Sequence, residues 1–186
     1  FRAHWPDLSI EAKIHPGPRP LILKDTQGAS SAAPSSGWPL RILVLGGIGE
    51  SKGFTPFKAL VHDAALRGLP LFFEVLGTTQ DDKAFEAYDN IRISGAYPPD
   101  QVLERVRETG CRLALFLSPW PETWSYTLSE AWAAGLYPVA FDLGAIAQRI
   151  RSKGCGDLWP LDTPIAILND ALLERGTNIP PVDPES

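Results

Sequence analysis

The sequence predicts an α/β domain: a three-layer sandwich in which a parallel sheet of about six strands carries helices on both faces. Three observations predict it. Short apolar runs such as RILVLG (41–46) and CRLALFL (111–117) do not alternate polar with apolar residues, so both faces of each strand must be covered. Segments with helical spacing fall between those runs, and strand–helix alternation implies parallel strands joined by crossover helices. Glycine or proline marks the junctions, as at Gly68, Pro98 and Gly135, where a chain changes element.

Taken in order, DLSIEAKI (7–14) alternates as a strand does, and HPGPRP ends it. Residues 1–26 are expected to be a lead-in strand or the end of a missing N-terminal domain. QGASSAAPSSGWP (27–39) reads as a flexible linker, and 40–176 as the folded domain. RILVLG is its first strand. Thr55-Pro56 then starts a helix to about Arg67, with Pro at its first position. LPLFFEVLG (69–77) and NIRISG (90–95) are the second and third strands. Pro98-Pro99 opens a helix through Glu108, with Val102, Leu103 and Val106 on one side. CRLALFL is the fourth strand. Tyr126–Ala134 is a helix, LYPVAFD (136–142) the fifth strand, and GAIAQRIRSKG (144–154) a helix. GDLWPL is a short sixth strand, Pro164–Glu174 the last helix, and 177–186 a loose tail. No internal repeat is present. The arrangement is Rossmann-like, and such sheets bind ligands at the carboxyl ends of their strands. The loops after Leu45, Leu76, Ser94, Leu117 and Phe141 are therefore the ones to inspect.

Composition excludes several functions. A net charge of −5 without a basic stripe argues against nucleic acid. No apolar run approaches the ~20 residues of a transmembrane segment, and FRAHWPDL lacks the apolar stretch of a signal peptide. Cys111 and Cys155 are too few for a disulfide scaffold and read as reduced thiols of a cytoplasmic protein. His4, His15 and His62 are not spaced as metal ligands. No Met occurs, so the chain is read as a fragment excised from something longer.

Two stretches carry chemistry. After the first strand comes GGIGESKG (46–53). It fails the dinucleotide fingerprint, because Lys52 stands where the third Gly should be, and it fails the P-loop, because Lys52 precedes Gly53. Its glycines, Gly47 and Gly49, let backbone approach a ligand, and Lys52 can place a charge there. A tight turn with a solvated Lys explains the same residues.

The second stretch is WPETWSYTLSEAWAAG (120–135). Ser125 suits an N-cap, which would leave the amides of Tyr126, Thr127 and Leu128 free at a positive helix terminus, a phosphate site. Glu122 in the loop and Glu130 just inside the helix could accept hydrogen bonds from the diols of two sugars. The alternative is structural: Thr127-x-x-Glu130 fits a capping box, and Trp120, Trp124 and Trp132 would pack the helix to the sheet.

This stretch resembles the C-terminal, donor-binding domain of retaining GT-B glycosyltransferases (group 1, family 4-like). The matching residues are Glu122, Glu130-Ala131 and Ala134-Gly135-Leu136-Tyr137-Pro138-Val139-Ala140, with a glycine loop ending in Lys52-Gly53 and Asp142-Leu143-Gly144-Ala145 after the next strand. The resemblance covers roughly residues 41–175. It implies that Glu130 binds the ribose of a nucleotide-diphosphate sugar and that Glu122 touches the transferred sugar. Backbone at Ser125, Tyr126 and Thr127 would meet sugar and diphosphate, Gly47 and Gly49 would border them, and Lys52 would neutralise the departing diphosphate. The turn at Ala96 and Tyr97 would face the base. The sequence departs from the family at Gly47, where many members carry Arg. It departs again at Trp124-Ser125, which stands one residue (Thr123) beyond the usual Phe-Gly, and at Gln148, which replaces a Glu.

The resemblance further implies hexosyl transfer with no cofactor and no bound metal, an acceptor domain missing from this chain, and an acceptor such as cell-surface polysaccharide. It implies a cytoplasmic protein, with the inner face of a bacterial membrane as a location for the full-length chain. Two other readings stay open: a related nucleotide-sugar enzyme such as a non-hydrolysing epimerase, and a non-catalytic nucleotide-binding or assembly module.

Overall fold

The computed structural model describes residues 39–183. The strand expected at 7–14, nearly all of the 27–39 linker and the last residues of the tail lie outside the described residues.

Six strands, β1 (Leu40–Ile48), β2 (Leu71–Thr79), β3 (Ile91–Ile93), β4 (Leu113–Phe116), β5 (Tyr137–Phe141) and β6 (Asp157–Trp159), form one sheet. Its order is β3-β2-β1-β4-β5-β6, and every pairing is parallel. Four helices lie between strands, α1 (Phe54–Leu66), α2 (Val102–Thr109), α3 (Tyr126–Ala133) and α4 (Gly144–Lys153), a 3-10 turn (Asp82–Phe85) joins β2 to β3, and α5 (Ile165–Thr177) follows β6. This is the Rossmann-like sandwich expected. Several boundaries move by a few residues, such as β2 to Leu71–Thr79 and the end of α5 to Thr177. β1 runs on to Ile48 because its glycines pair with β2, Gly46 against Gly77 and Gly47 against Thr78. The helix expected from Pro98 opens instead as a 3-10 turn, Pro99–Gln101, before α2.

β1 shows why the strands lack alternation. Ile42 and Val44 face one side, where Phe57, Leu60 and Val61 of α1 and Leu168 and Leu172 of α5 cover them. Leu43 and Leu45 face the other, under Val106 of α2, Leu128 and Trp132 of α3 and Ile146 of α4. The central strands are sealed on both faces, so polar work falls to their ends. The segment after α5 stays against the domain: Ile179 and Val182 are partly buried on the core, and Arg112 Nη2 donates to Ile179 O at 3.2 Å.

One charge lies inside. Glu74, in mid-β2, is 1% exposed and receives Arg41 at 2.7 Å and Arg92 at 2.6 Å from the two flanking strands. It is a structural ion-pair centre in the middle of the strand, away from its carboxyl end.

Candidate functional site

The order reverses between β1 and β4, and the crevice at such a switch point is where doubly wound sheets bind ligands. The loops after these two strands are tied together. Gly53 has φ 91°, and a Cβ there would strike the backbone of Leu117, so only glycine fits. Ser118 Oγ shares its proton between Ser51 O at 2.7 Å and Trp120 O at 2.8 Å. A Cβ on Gly46 would lie 3.4 Å from Thr127 Cγ2, which sets the start of α3 against the glycine loop.

Within that loop a 3-10 turn, Glu50–Lys52, separates the two charges. Glu50 is occupied by Gln80 Nε2 at 2.7 Å and Thr55 Oγ1 at 2.8 Å. Lys52 is exposed and lines a small cleft with Glu122, Thr127 and Ser118. Gly47 is exposed, and a Cβ on it would meet nothing within 4 Å. Gly49 faces Gln80, whose Oε1 would lie 3.8 Å from a Cβ.

Ser125 is the N-cap of α3, with an extended φ of −132° and its Oγ accepting from Leu128 N at 3.4 Å. This corrects one expectation, because the Leu128 amide is occupied. The amides of Tyr126 and Thr127 have no protein acceptor among the described residues. The capping-box alternative fails: Thr127 lies inside the helix, and Glu130 makes no bond back to a cap amide. The packing alternative holds for one Trp. Trp132 is buried, whereas Trp120 is 66% exposed and Trp124 44%.

Glu122 and Glu130 are half-buried, yet neither carboxylate accepts a hydrogen bond among the described residues. Burial pushes both carboxyls above the usual range, and the Lys52 ammonium pulls both back without cancelling it. The Tyr97 phenol is raised by burial and then by the Glu130 charge. Lys52 and Glu122 line one cleft, and the charge of Lys52 acts on Glu130 and that of Glu130 on Tyr97. Ala96 sits exposed beside Tyr97, and Tyr126 is 52% exposed at the helix start.

The loop carrying Glu122 rests on α4. Gly144, at φ 61°, allows the approach, since a Cβ would sit 2.7 Å from Pro121 Cα. Ala145 N donates to Glu122 O at 3.0 Å. One turn on, Arg149 donates to Ser125 O at 2.6 Å and Ser129 Oγ at 2.7 Å. Arg149 was not singled out in the sequence. Its spacing from Ala145 puts both on one helix face, but only the fold shows what that face meets. Gln148 is exposed. Among the described residues no group of three or more His, Cys, Asp or Glu is placed to hold a metal, and no helix is long and apolar enough to cross a membrane.

The sheet order and the all-parallel pairing define a Rossmann-like α/β class of domain. More narrowly, the fold is that of a domain of GT-B glycosyltransferases. The pneumococcal O-GlcNAc transferase GtfA, solved with UDP and GlcNAc, superposes with a TM-score of 0.53 at 20% identity, over 74% of this chain and 28% of that one. The lipopolysaccharide outer core galactosyltransferase WaaB gives 0.59 at 16% identity, over 77% and 41%. The C-terminal domain of the group 1 glycosyl transferase LpcC from Francisella tularensis gives 0.55 at 17% identity, over 76% and 78%. The chain thus spans less than half the length of the first two. No family model and no curated relative matches it.

Proposed function

We propose that this domain is the donor-binding half of a retaining glycosyltransferase that moves a sugar from a nucleotide-diphosphate sugar. The observation that carries the reading is the pair of half-buried, unpartnered carboxylates, Glu122 and Glu130, flanking Lys52 and the free amides of Tyr126 and Thr127. A carboxylate held from water without a partner is costly unless a ligand supplies hydrogen bonds. Hydroxyls of a ribose and of a hexose are donors of that kind.

In this reading the diphosphate meets the α3 amides and Lys52, Glu130 grips the ribose, and Glu122 orients the transferred sugar. The base lies by Ala96 and Tyr97. As the bond to the sugar breaks through an oxocarbenium-like state, charge grows on the diphosphate, where fixed dipoles and one cation oppose it. No metal or other cofactor is assigned a part. The acceptor attacks from the face the diphosphate leaves, held by a second domain. A cell-surface polysaccharide is the acceptor class proposed, with the cytoplasmic side as the site of action.

Calorimetric titration with UDP, GDP and ADP tests this. One of them should bind, and Glu130→Ala should weaken it by about tenfold or more, the loss of a hydrogen bond to a charged group. The open space at Gly47, where a second cation would stand, favours a non-catalytic module as the second reading. Silence toward all three nucleotides selects it.

A further inference from the structure

We infer that Arg149 is a positioning residue for the diphosphate subsite, acting through the loop 122–125 and the cap of α3; the inference rests on the donor-binding reading. Arg149 is half-buried and, among the described residues, has no carboxylate partner. A guanidinium in that setting is held by something other than an ion pair. Here it lies over two aromatic rings, with its carbon 4.1 Å from the centre of the Trp124 ring and 5.2 Å from that of Trp132. Its two terminal nitrogens then reach the carbonyl of the N-cap and the hydroxyl one turn along α3. A planar fork packed over two rings and held by two hydrogen bonds can turn little, so it fixes what it bonds.

The geometry places this fork where it matters. Ala145 N–H holds the Glu122 carbonyl and Arg149 holds the Ser125 carbonyl, one helical turn apart on α4. Between those two points lie Thr123 and Trp124; just beyond lie the free amides of Tyr126 and Thr127. α4 itself offers the crevice no side chain but Ile146, so it serves as a splint. The ring of Trp124, left 44% exposed, is explained by its stack on Arg149. The arrangement also keeps a positive charge beside the first turn of α3, in a site whose glycine loop carries Lys52 alone.

The test compares wild type with Arg149→Met, Arg149→Lys and Trp124→Leu. Each is titrated with whichever of UDP, GDP or ADP the wild type binds, and with the matching nucleoside at millimolar concentration by NMR. Arg149→Met should weaken the diphosphate about tenfold and leave the nucleoside unchanged, with Arg149→Lys recovering part of the loss. Amide exchange at Leu128, whose N–H caps on Ser125, should quicken in Arg149→Met. Equal diphosphate affinity overturns the inference, as does equal loss of diphosphate and nucleoside, the mark of general damage. Should Arg149→Met not fold, Trp124→Leu carries the same comparison, since it keeps both hydrogen bonds but frees the fork. A wild type silent toward every nucleotide sinks the donor reading and the inference with it; a wild type that binds beside an indifferent Arg149→Met sinks the inference alone.

Discussion

Glu74 and Glu130 are both acidic groups drawn out of water, and their surroundings differ. Glu74 is 1% exposed and met by Arg41 and Arg92 from the strands on either side. Glu130, like Glu122, is half-buried and unbonded among the described residues, with only the field of Lys52 to oppose its desolvation. The same contrast separates the two ends of the sheet. At the amino ends of β5 and β6, Asp157 takes Arg175 at 2.5 Å and Tyr137 Oη at 2.9 Å, a closed cluster. At the carboxyl ends of β1 and β4, Glu122 and Glu130 are left open among the described residues. In the proposed reading, carboxylates with partners build the domain, and the unpartnered Glu122 and Glu130 are completed by a ligand.

The largest effect expected breaks the paired case. Removing both cations, Arg41→Ala with Arg92→Ala, strands Glu74 in the core and should cost about 3–5 kcal/mol in urea unfolding, the range for an uncompensated buried charge. Lys52→Ala removes the cation whose charge acts on Glu122 and Glu130 and should cost almost nothing by the same measure. Equal costs would erase the distinction between the two kinds of site.

Next in size is Gly144→Ala. The left-handed φ and the 2.7 Å approach to Pro121 Cα are both backbone constraints, so the loop carrying Glu122 must move. A loss of about 2–3 kcal/mol is expected, together with loss of nucleotide binding. A variant as stable as wild type would mean that α4 does not support the site.

These pairs also show what could be read in the sequence. The strands and helices were legible because each is bounded locally, by Gly68, Pro98 or Gly135, and because runs such as RILVLG have one physical solution. The order of strands was not, since β1 lies between β2 and β4 through contacts far apart in the chain. Ser125 as cap and the Glu122–Glu130 pair were legible from spacing. The partners of Glu74 were not, because they lie 33 and 18 residues away. Arg149 escaped for the same reason. A helix face is evident from its period, but its neighbour is a tertiary fact.

A smaller effect concerns pH. The folded-state pKa values of Glu122 and Glu130 lie above their unfolded ones, so the native state holds more protons across the window between them. Stability therefore falls as pH rises through that window. The double variant Glu122→Gln, Glu130→Gln should lose this slope, unfolding at or above the wild-type Tm at pH 7 and converging with it in acid. A capping role for Glu130 would give the opposite sign, a loss of about 1 kcal/mol at pH 7.

The smallest effect on stability, and the sharpest on the site, belongs to Gly47→Arg. Gly47 is exposed, its φ is not left-handed, and a Cβ there meets nothing, so stability should stay within about 0.5 kcal/mol of wild type. The new guanidinium would stand beside Lys52 in the crevice that holds the α3 amides, and diphosphate affinity should rise several-fold at low salt and less at high salt, as a second cation requires. The matching nucleoside, which carries no phosphate, should bind unchanged. An Arg that folds without cost and leaves diphosphate affinity where it was would place the anion away from the glycine loop, and with it the contrast between open and closed charges at the two ends of the sheet would lose its functional meaning.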